Sequence, residues 1–189
     1  RARSRMTLGS SCRTEPIFWR KKQPMADAMA EKKDGVQRCA VLFGEMKRLH
    51  MQYIWSEQGQ LPVQAQRIRR DVFMQEQGFC DEFDAFDKKS WHVLLQTNGK
   101  TIGTARMFWE QNHVMHIGRV AVCKDARGGG NGARILQACC EKAKAVGAKR
   151  VILGAQCRAV EFYKKSGFTP YGEIFDDEGC PHQMMEKKL

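Results

Sequence analysis

The chain lacks several features that would assign it to a function class at once. No uninterrupted apolar run approaches the roughly 20 residues that a membrane-spanning helix needs, so we expect no membrane span. Its eight cysteines form no C-x-x-C pair, which gives zinc ligation and a disulfide framework little support. We therefore expect reduced thiols and no metal, in an intracellular and most simply cytoplasmic protein.

Acidic residues are scarce at the start of the chain, where the first is Glu15. The first 20 residues contain five Arg and three Ser, a composition typical of an organellar transit peptide, so an organelle is the alternative location. Residues 1–50 carry 12 Lys and Arg against 5 Asp and Glu, whereas residues 51–189 carry 20 against 16. We expect a basic extension over residues 1–45, flexible or targeting, and one domain over residues 46–189.

Nucleic-acid motifs are also missing from the expected domain. A basic protein can attract nucleic acid through its net charge, which is +11 here. Because the compact part shows no recognisable nucleic-acid motif, nucleic acid is not the expected partner. Binding through the basic extension is kept as a third reading of the chain.

The most informative stretch that is present runs from His116 to Leu136. Its β-branched residues predict a strand over His116–Val122, and apolar residues at helical spacing predict a helix over Ala133–Val146. Between them lies Arg-Gly-Gly-Gly-Asn-Gly, residues 127–132. Glycine amides and the free N–H groups at the start of a helix together make a phosphate cradle.

Two familiar cradles fit this stretch poorly. A P-loop needs Lys and then Ser or Thr after its last glycine, whereas Gly132 is followed by Ala133 and Arg134. A dinucleotide fingerprint is matched by Gly128, Gly130 and Ala133, but hairpin signals precede it rather than a βαβ unit. A different phosphate ligand is therefore indicated.

The remaining elements follow from periodicity and turn residues. An opening strand, a helix ending at Gly78, a hairpin through Asn98-Gly99 and a turn at Gln111-Asn112 precede the glycine stretch. A strand, a short helix and two further strands follow it. The predicted bounds are Met51–Trp55, Leu61–Gln77, Trp91–Gln96, Thr101–Trp109, Arg150–Ala155, Ala159–Ser166, and strands around Tyr171–Phe175 and Gln183–Lys187. Such an order predicts an α/β layered fold.

Two blocks resemble the hallmarks of a known family. Arg127-x-x-Gly130-x-Gly132 after a strand resembles the acetyl-CoA-binding motif of the GCN5-related N-acetyltransferases (GNAT). The block from Val151 to Phe168 resembles the second hallmark, in which a polar residue lies seven positions before a Tyr. Here Gln156 stands where Asn is usual, before Tyr163. Further segments over residues 51–189 look like the ElaA and YjcF branch.

The resemblance implies a GNAT acyl-CoA N-acyltransferase fold, a mixed central sheet of an antiparallel meander and then β-α-β, flanked by helices. It also implies acetyl-CoA as cofactor. The pantetheine arm would pair with the strand where it splays from the next strand, and the pyrophosphate would lie on the glycine amides. The implied cofactor-binding residues are Val120, Ala121, Val122, Arg127, Gly128, Gly129, Gly130, Asn131, Gly132, Ala133, Gln156 and Phe162.

The same resemblance assigns the acid–base chemistry. Tyr163 would protonate the leaving thiolate, since a tyrosine with a pKa of about 10 keeps its proton at neutral pH. Glu82 and His182, with Glu76 as a further candidate, could serve as the base for the attacking amine. The acidic loop over residues 81–87 could attract a cationic amine, or be a solvated loop pinned by its aromatics.

Two strand arginines, Arg106 and Arg119, could bind an anionic acceptor or pair with nearby carboxylates. We expect an acetyl-CoA-dependent N-acetyltransferase that acts by direct attack in a ternary complex. The acceptor would be a small-molecule or protein amine, and the protein a monomer or homodimer. The alternative is a non-catalytic acyl-CoA-binding module that acts as a sensor or a partner-binding domain.

Overall fold

Residues 50–189 are described by a computed structural model, in which one seven-stranded sheet carries helices on both faces. The strands are β1 (Met51–Trp55), β2 (Trp91–Thr97), β3 (Lys100–Gln111), β4 (Val114–Val122), β5 (Arg150–Gln156), β6 (Thr169–Asp177) and β7 (Cys180–Lys188). The helices are α1 (Val63–Arg69, continuing as a π-helical segment over Arg70–Gln75), α2 (Asn131–Ala145) and α3 (Val160–Lys165). Short 3₁₀ turns cover Ala85–Lys89, Lys124–Ala126 and Cys157–Ala159.

The strand order is β1-β2-β3-β4-β5-β7-β6. The first four strands form an antiparallel meander, and α2 then connects β4 to the parallel neighbour β5. β7 pairs antiparallel with both β5 and β6, and β6 forms the edge of the sheet. The segment β5-α3-β6 is therefore a second crossover connection, between two parallel strands that are separated in the sheet by β7. The predicted mixed sheet is confirmed.

The hairpin turns follow their sequence signals with one shift. Asn98 and Gly99 have φ of 50° and 79°, as a tight two-residue hairpin requires, and they join β2 to β3 as predicted. The next turn lies at Asn112 and His113, one residue later than predicted, because Gln111 still pairs with Val114. His113 takes up the left-handed conformation there, with φ of 61°.

The main core lies between α2 and one face of the sheet. Ile135, Leu136 and Cys139 of α2 are fully buried, as are alternate residues of β2, β3 and β4. Burial raises the pKa of the Cys139 thiol, so this cysteine is an inert part of the core. The helix starts two residues before its predicted first residue and ends one before its predicted last.

The opposite face is covered by α1 and the loop that follows it. Ile68 and Val72 pack there against Ala121 of β4. Because side chains alternate across a strand, the residues between the core positions of β2 and β3, such as His92 and Arg106, point to this face. We call this side of the sheet the α1 face, and the side covered by α2 the α2 face. The α1 face carries the buried polar residues that shape the candidate site.

Candidate active site

The strands β4 and β5 separate at the centre of the sheet. Their parallel pairing covers only Val114–His116 of β4 and Arg150–Ile152 of β5, although β4 continues to Val122 and β5 to Gln156. Within residues 50–189, the edge of β4 that faces β5 has no sheet partner beyond His116. The main chain of Val120, Ala121 and Val122 can therefore pair with an extended, amide-bearing ligand, as an added strand would.

A β-bulge re-aims one side chain in this part of β4. Thr104 pairs with Ala121 and Arg106 with Gly118, so two residues of β4 oppose one of β3. Arg119 lies in the bulge with φ of 52°. Its side chain consequently turns to the α1 face, where its Nε lies 3.0 Å from a carboxylate oxygen of Glu82.

The glycine turn leads from the end of β4 into α2. Gly128 and Gly130 have φ of 83° and 76°, and Gly130 is the residue that caps the helix. All three residues of the run Gly128–Gly130 are exposed. Since the first turn of α2 has free N–H groups at the positive end of its dipole, the turn presents an anion-binding surface beside the strand divergence.

Side chains brace this turn from both ends. Arg127 donates its Nε to the carbonyl of Val122 at 3.0 Å and pairs with the Glu76 carboxylate at 2.9 Å. Asn131 donates to the carbonyl of Ala126. Arg134 donates to the carbonyl of Gly129 at 2.5 Å. This arginine was not among the site residues predicted from the sequence. Its signal was a cation placed in the first turn of a helix that follows glycines.

An aromatic ring covers the start of α2. Phe162 of α3 lies so close to Gly132 that an added Cβ would sit 3.0 Å from its Cζ. Gly132 therefore lets α3 approach the glycine turn. The ring of Phe162 is 37% exposed and meets that of Tyr163 edge to face, 5.0 Å between centroids.

Tyr163 is half-buried against the core, edge to face with Phe168. Burial raises its pKa to about 12, with a smaller contribution from Cys139. The hydroxyl therefore keeps its proton at neutral pH, and within residues 50–189 it makes no hydrogen bond that would compete for that proton.

Gln156 lies at the end of β5 and is engaged by protein groups. Its Nε2 donates to Oε1 of Gln77 at 2.8 Å, and its Oε1 accepts from Arg158 at 2.9 Å. It thus ties β5 to the end of α1. Its contact to the cofactor stays a prediction, as do those of the other residues assigned by resemblance.

Glu82 is buried, 3% exposed, and contacts two arginines. Arg69 donates to it at 2.6 Å from the side of α1, and Arg119 approaches from β4. Burial raises the pKa of the Glu82 carboxyl, and the guanidinium groups of Arg119 and Arg69 act against that rise. These contacts show a structural bridge between α1 and β4; a role as base stays a prediction.

His182 lies on β7, buried, opposite Gln156 in the pairing register. Its Nδ1 lies 2.8 Å from the carbonyl oxygen of Cys180, so Nδ1 is the donor, and in the neutral ring Nε2 holds the lone pair. Its ring stacks on Phe175, 5.7 Å between centroids. Glu76, the third candidate base, is paired with Arg127.

The acidic loop differs from both of its predicted forms. Asp84 binds Arg106 through two contacts of 2.7 Å, and Asp87 accepts from Arg69 at 2.7 Å and from Arg106 at 2.9 Å. Three of its carboxylates are thus ion-paired rather than solvated or free to attract a cation. The expectation that the strand arginines pair with nearby carboxylates is confirmed, because the loop folds onto the bulge of β4.

Comparisons with known proteins agree with this geometry. The model of the acetyltransferase (GNAT) domain matches residues 62–189. The uncharacterised N-acetyltransferase YjcF of Bacillus subtilis is 34% identical over 123 residues, 64% of this chain and 87% of YjcF. A solved Lactobacillus plantarum structure gives a TM-score of 0.68 at 30% identity, covering 74% of this chain and 98% of its own. The crystal structure of Escherichia coli ElaA gives a TM-score of 0.65 at 26% sequence identity, and the match covers 73% of this chain and 99% of ElaA.

The chain belongs to the GNAT acetyltransferase family. Its resemblance to the branch that contains ElaA and YjcF is confirmed. The predicted fold is confirmed with it. Within residues 50–189, no helix is long and apolar enough to span a bilayer, and no group of His, Cys, Asp or Glu is arranged to hold a metal ion.

Proposed function

We propose that this protein transfers the acetyl group of acetyl-CoA to a primary amine by direct attack in a ternary complex. The observation that carries the proposal is the divergence of β4 from β5 beyond His116 and Ile152, with the exposed glycine turn at the same end of β4. The divergence offers main-chain partners to an extended arm, and the turn offers amides to phosphate. A CoA thioester has both parts in this order, and acetyl-CoA is the thioester that membership of an acetyltransferase family favours.

The cofactor would lie along this path. Val120 to Val122 would pair with the pantetheine amides, and the amides from Arg127 to Ala133 would hold the pyrophosphate. Arg127 is paired with Glu76, so its main contribution is to fix the turn, while Arg134 supplies positive charge beside Gly129. The thioester would then reach the sheet centre between the two strands.

The reaction needs one acid and one base. The amine nitrogen attacks the thioester carbonyl carbon, the C–S bond breaks, and the thiolate takes the hydroxyl proton of Tyr163. The amine proton goes to a base, directly or through water. Of the three candidates, His182 best fits this role, since Nε2 holds a lone pair while Glu82 and Glu76 are bound to arginines.

Two linked measurements test this function. The thermal midpoint is recorded with acetyl-CoA, and with ATP and NAD as controls, since a ligand at about 100 times its dissociation constant adds about 2.7 kcal/mol. We expect a rise of several degrees with acetyl-CoA alone. Release of the CoA thiol is then followed with a panel of amines.

The outcomes separate the alternatives. Amine-dependent thiol release supports the transferase. Stabilisation by acetyl-CoA without thiol release from any amine would favour the non-catalytic acyl-CoA-binding module. No stabilisation at millimolar acetyl-CoA would overturn the ligand assignment itself.

A further inference from the structure

Two glycines face each other across the strand divergence. His116 and Ile152 are the last residues of the parallel pairing, and their side chains lie on the α1 face. Two positions further along each strand, and therefore on the same face, stand Gly118 and Gly154. At this point neither strand presents a side chain to the α1 face.

Neither glycine is required by the backbone or by packing. Both have φ outside the left-handed region, unlike Gly128 and Gly130. An added Cβ at Gly118 would meet nothing nearer than Arg106 Nε at 3.8 Å, and at Gly154 nothing nearer than Phe175 Cζ at 3.5 Å. Gly103, by contrast, would place a Cβ 2.6 Å from a neighbouring side chain.

Glycine within a strand weakens the strand, and it often marks a place where a ligand approaches the backbone closely. Here both glycines lie where the thioester would emerge between β4 and β5. An opening without side chains at this position lets a second substrate reach the reacting carbon from the α1 face.

On the side of β6 and β7, apolar side chains lie beside the opening. Phe175 of β6 leans over Gly154 and stays 40% exposed, with Met184 next to it. On the other side, Arg119 is already paired with Glu82 and Asp84. Arg158 is exposed and donates its Nε to the neutral amide of Gln156. The exposed ring of Phe175, across from an arginine that two carboxylates already pair with, suits an apolar group better than a carboxylate or a polycation.

We propose that Gly118 and Gly154 determine acceptor specificity by keeping the α1 face of the divergence open, and that the acceptor is a primary amine bearing a flat apolar group that packs on Phe175. This inference rests on the proposed transferase function. An apolar wall also favours the neutral amine, which is the form that attacks.

The test compares initial rates with three probes: 2-phenylethylamine, spermidine and L-glutamate. The variants are Gly154→Ala, Gly118→Ala and Phe175→Ala, with Ile174→Ala as the matched control. Ile174 is the neighbour of Phe175 on β6 and is more exposed, but it points to the opposite face. The glycine variants should fold, since each new methyl group makes only ordinary contacts.

We expect kcat/KM to be highest for 2-phenylethylamine. One misplaced methyl group in an apolar pocket changes kcat/KM by about tenfold or more, so Gly154→Ala and Phe175→Ala should each lose about that factor with this amine. Gly118→Ala should lose activity in the same direction. The dissociation constant of acetyl-CoA should stay unchanged in all of them, and Ile174→Ala should behave as wild type.

A preference for spermidine or L-glutamate would overturn the inference while leaving the transferase function standing. Equal activity of wild type and both glycine variants would also overturn it. Absence of thiol release with every amine, in a protein that still binds acetyl-CoA, would remove the proposed function and this inference together.

Discussion

Tyr163 shows how burial keeps a hydroxyl group protonated. Its ring is fixed between Phe162 and Phe168, while its hydroxyl has no hydrogen-bond partner within the described part of the chain. Because burial raises its pKa to about 12, the hydroxyl stays protonated throughout the neutral range. The same side chain thus packs the core and holds a proton.

Replacing Tyr163 with Phe should therefore separate catalysis from binding. We expect kcat to fall on the order of 10² or more, since general acid catalysis contributes about that factor, while acetyl-CoA affinity is retained. Assays of thiol release measure kcat, and calorimetric titration measures the affinity for acetyl-CoA. Wild-type rates in Tyr163→Phe would show that the leaving thiolate takes its proton from another donor.

In Asp87, unlike Tyr163, the combined effect of neighbouring charges on the pKa is larger than the effect of burial. Burial raises its pKa, but hydrogen bonds from Arg69 and Arg106 outweigh that effect and hold the pKa at about 2. Since the folded value lies below the unfolded value of about 3.9, the stabilisation is fully present above pH 4. It is lost as the pH falls through the folded value.

The Asp87→Asn variant should lose this pH dependence. Near neutral pH we expect it to be less stable than wild type by about 2 kcal/mol or more, and the difference should narrow between about pH 4 and pH 2. Urea unfolding across this range measures it. Asp81→Asn, which changes an exposed carboxylate on the same loop, is the control. A gap that stays constant down to pH 2 would contradict the ion-pair account.

At the scale of elements, one glycine sets how closely α2 approaches the sheet. An added Cβ at Gly103 of β3 would lie 2.6 Å from Ile135 Cδ1 and 3.0 Å from the carbonyl oxygen of Ala121. The helix therefore rests directly on the backbone of β3. This contact helps to position the glycine turn, which lies one turn of α2 before Ile135.

A Gly103→Ala substitution should consequently overpack this contact. We expect a loss of about 1–3 kcal/mol in the free energy of unfolding, because the isoleucine can rotate but the strand carbonyl cannot move away freely. Gly118→Ala is the matched control, since its methyl group makes only an ordinary contact, 3.8 Å from Arg106 Nε, and should leave stability unchanged or raise it slightly. Equal effects of the two substitutions in urea unfolding would refute the packing argument.

At the scale of the whole molecule, most of the net positive charge lies in a different part of the chain from the residues of the candidate site. Residues 1–50 hold a net charge of +7, whereas residues 51–189 hold +4. The family model begins at residue 62, and the candidate site is built entirely from residues beyond that point. The boundary predicted near residue 45 lies outside the described residues and stays a prediction.

Deletion of residues 1–45 should leave acetyl-CoA affinity and transferase rates unchanged. Any binding of DNA or RNA by the full chain should disappear with the deletion, and it should weaken steeply with salt before the deletion. Calorimetry with acetyl-CoA and fluorescence anisotropy with a labelled duplex provide the readings. Nucleic-acid binding that persists in the shortened chain would place the basic surface in the domain instead.

The sequence alone determined the elements with strong local signals. Asn98-Gly99 specified a hairpin, the glycine run specified a strand-to-helix turn, and helical spacing located α1 and α2 within about two residues. Gly78 stops the first helix as predicted, with φ of 81°. Each of these depends on neighbours in the chain, so periodicity and turn residues suffice to find them.

Only the tertiary structure decided how the site is arranged. The bulge at Arg119 depends on the register between β3 and β4, and the fate of Glu82 depends on Arg69, 13 residues away in sequence. The position of Gly118 across the divergence from Gly154 requires two strands that are joined through α2. Such contacts join distant segments, and no local pattern encodes them, because they follow from how the helices and strands pack.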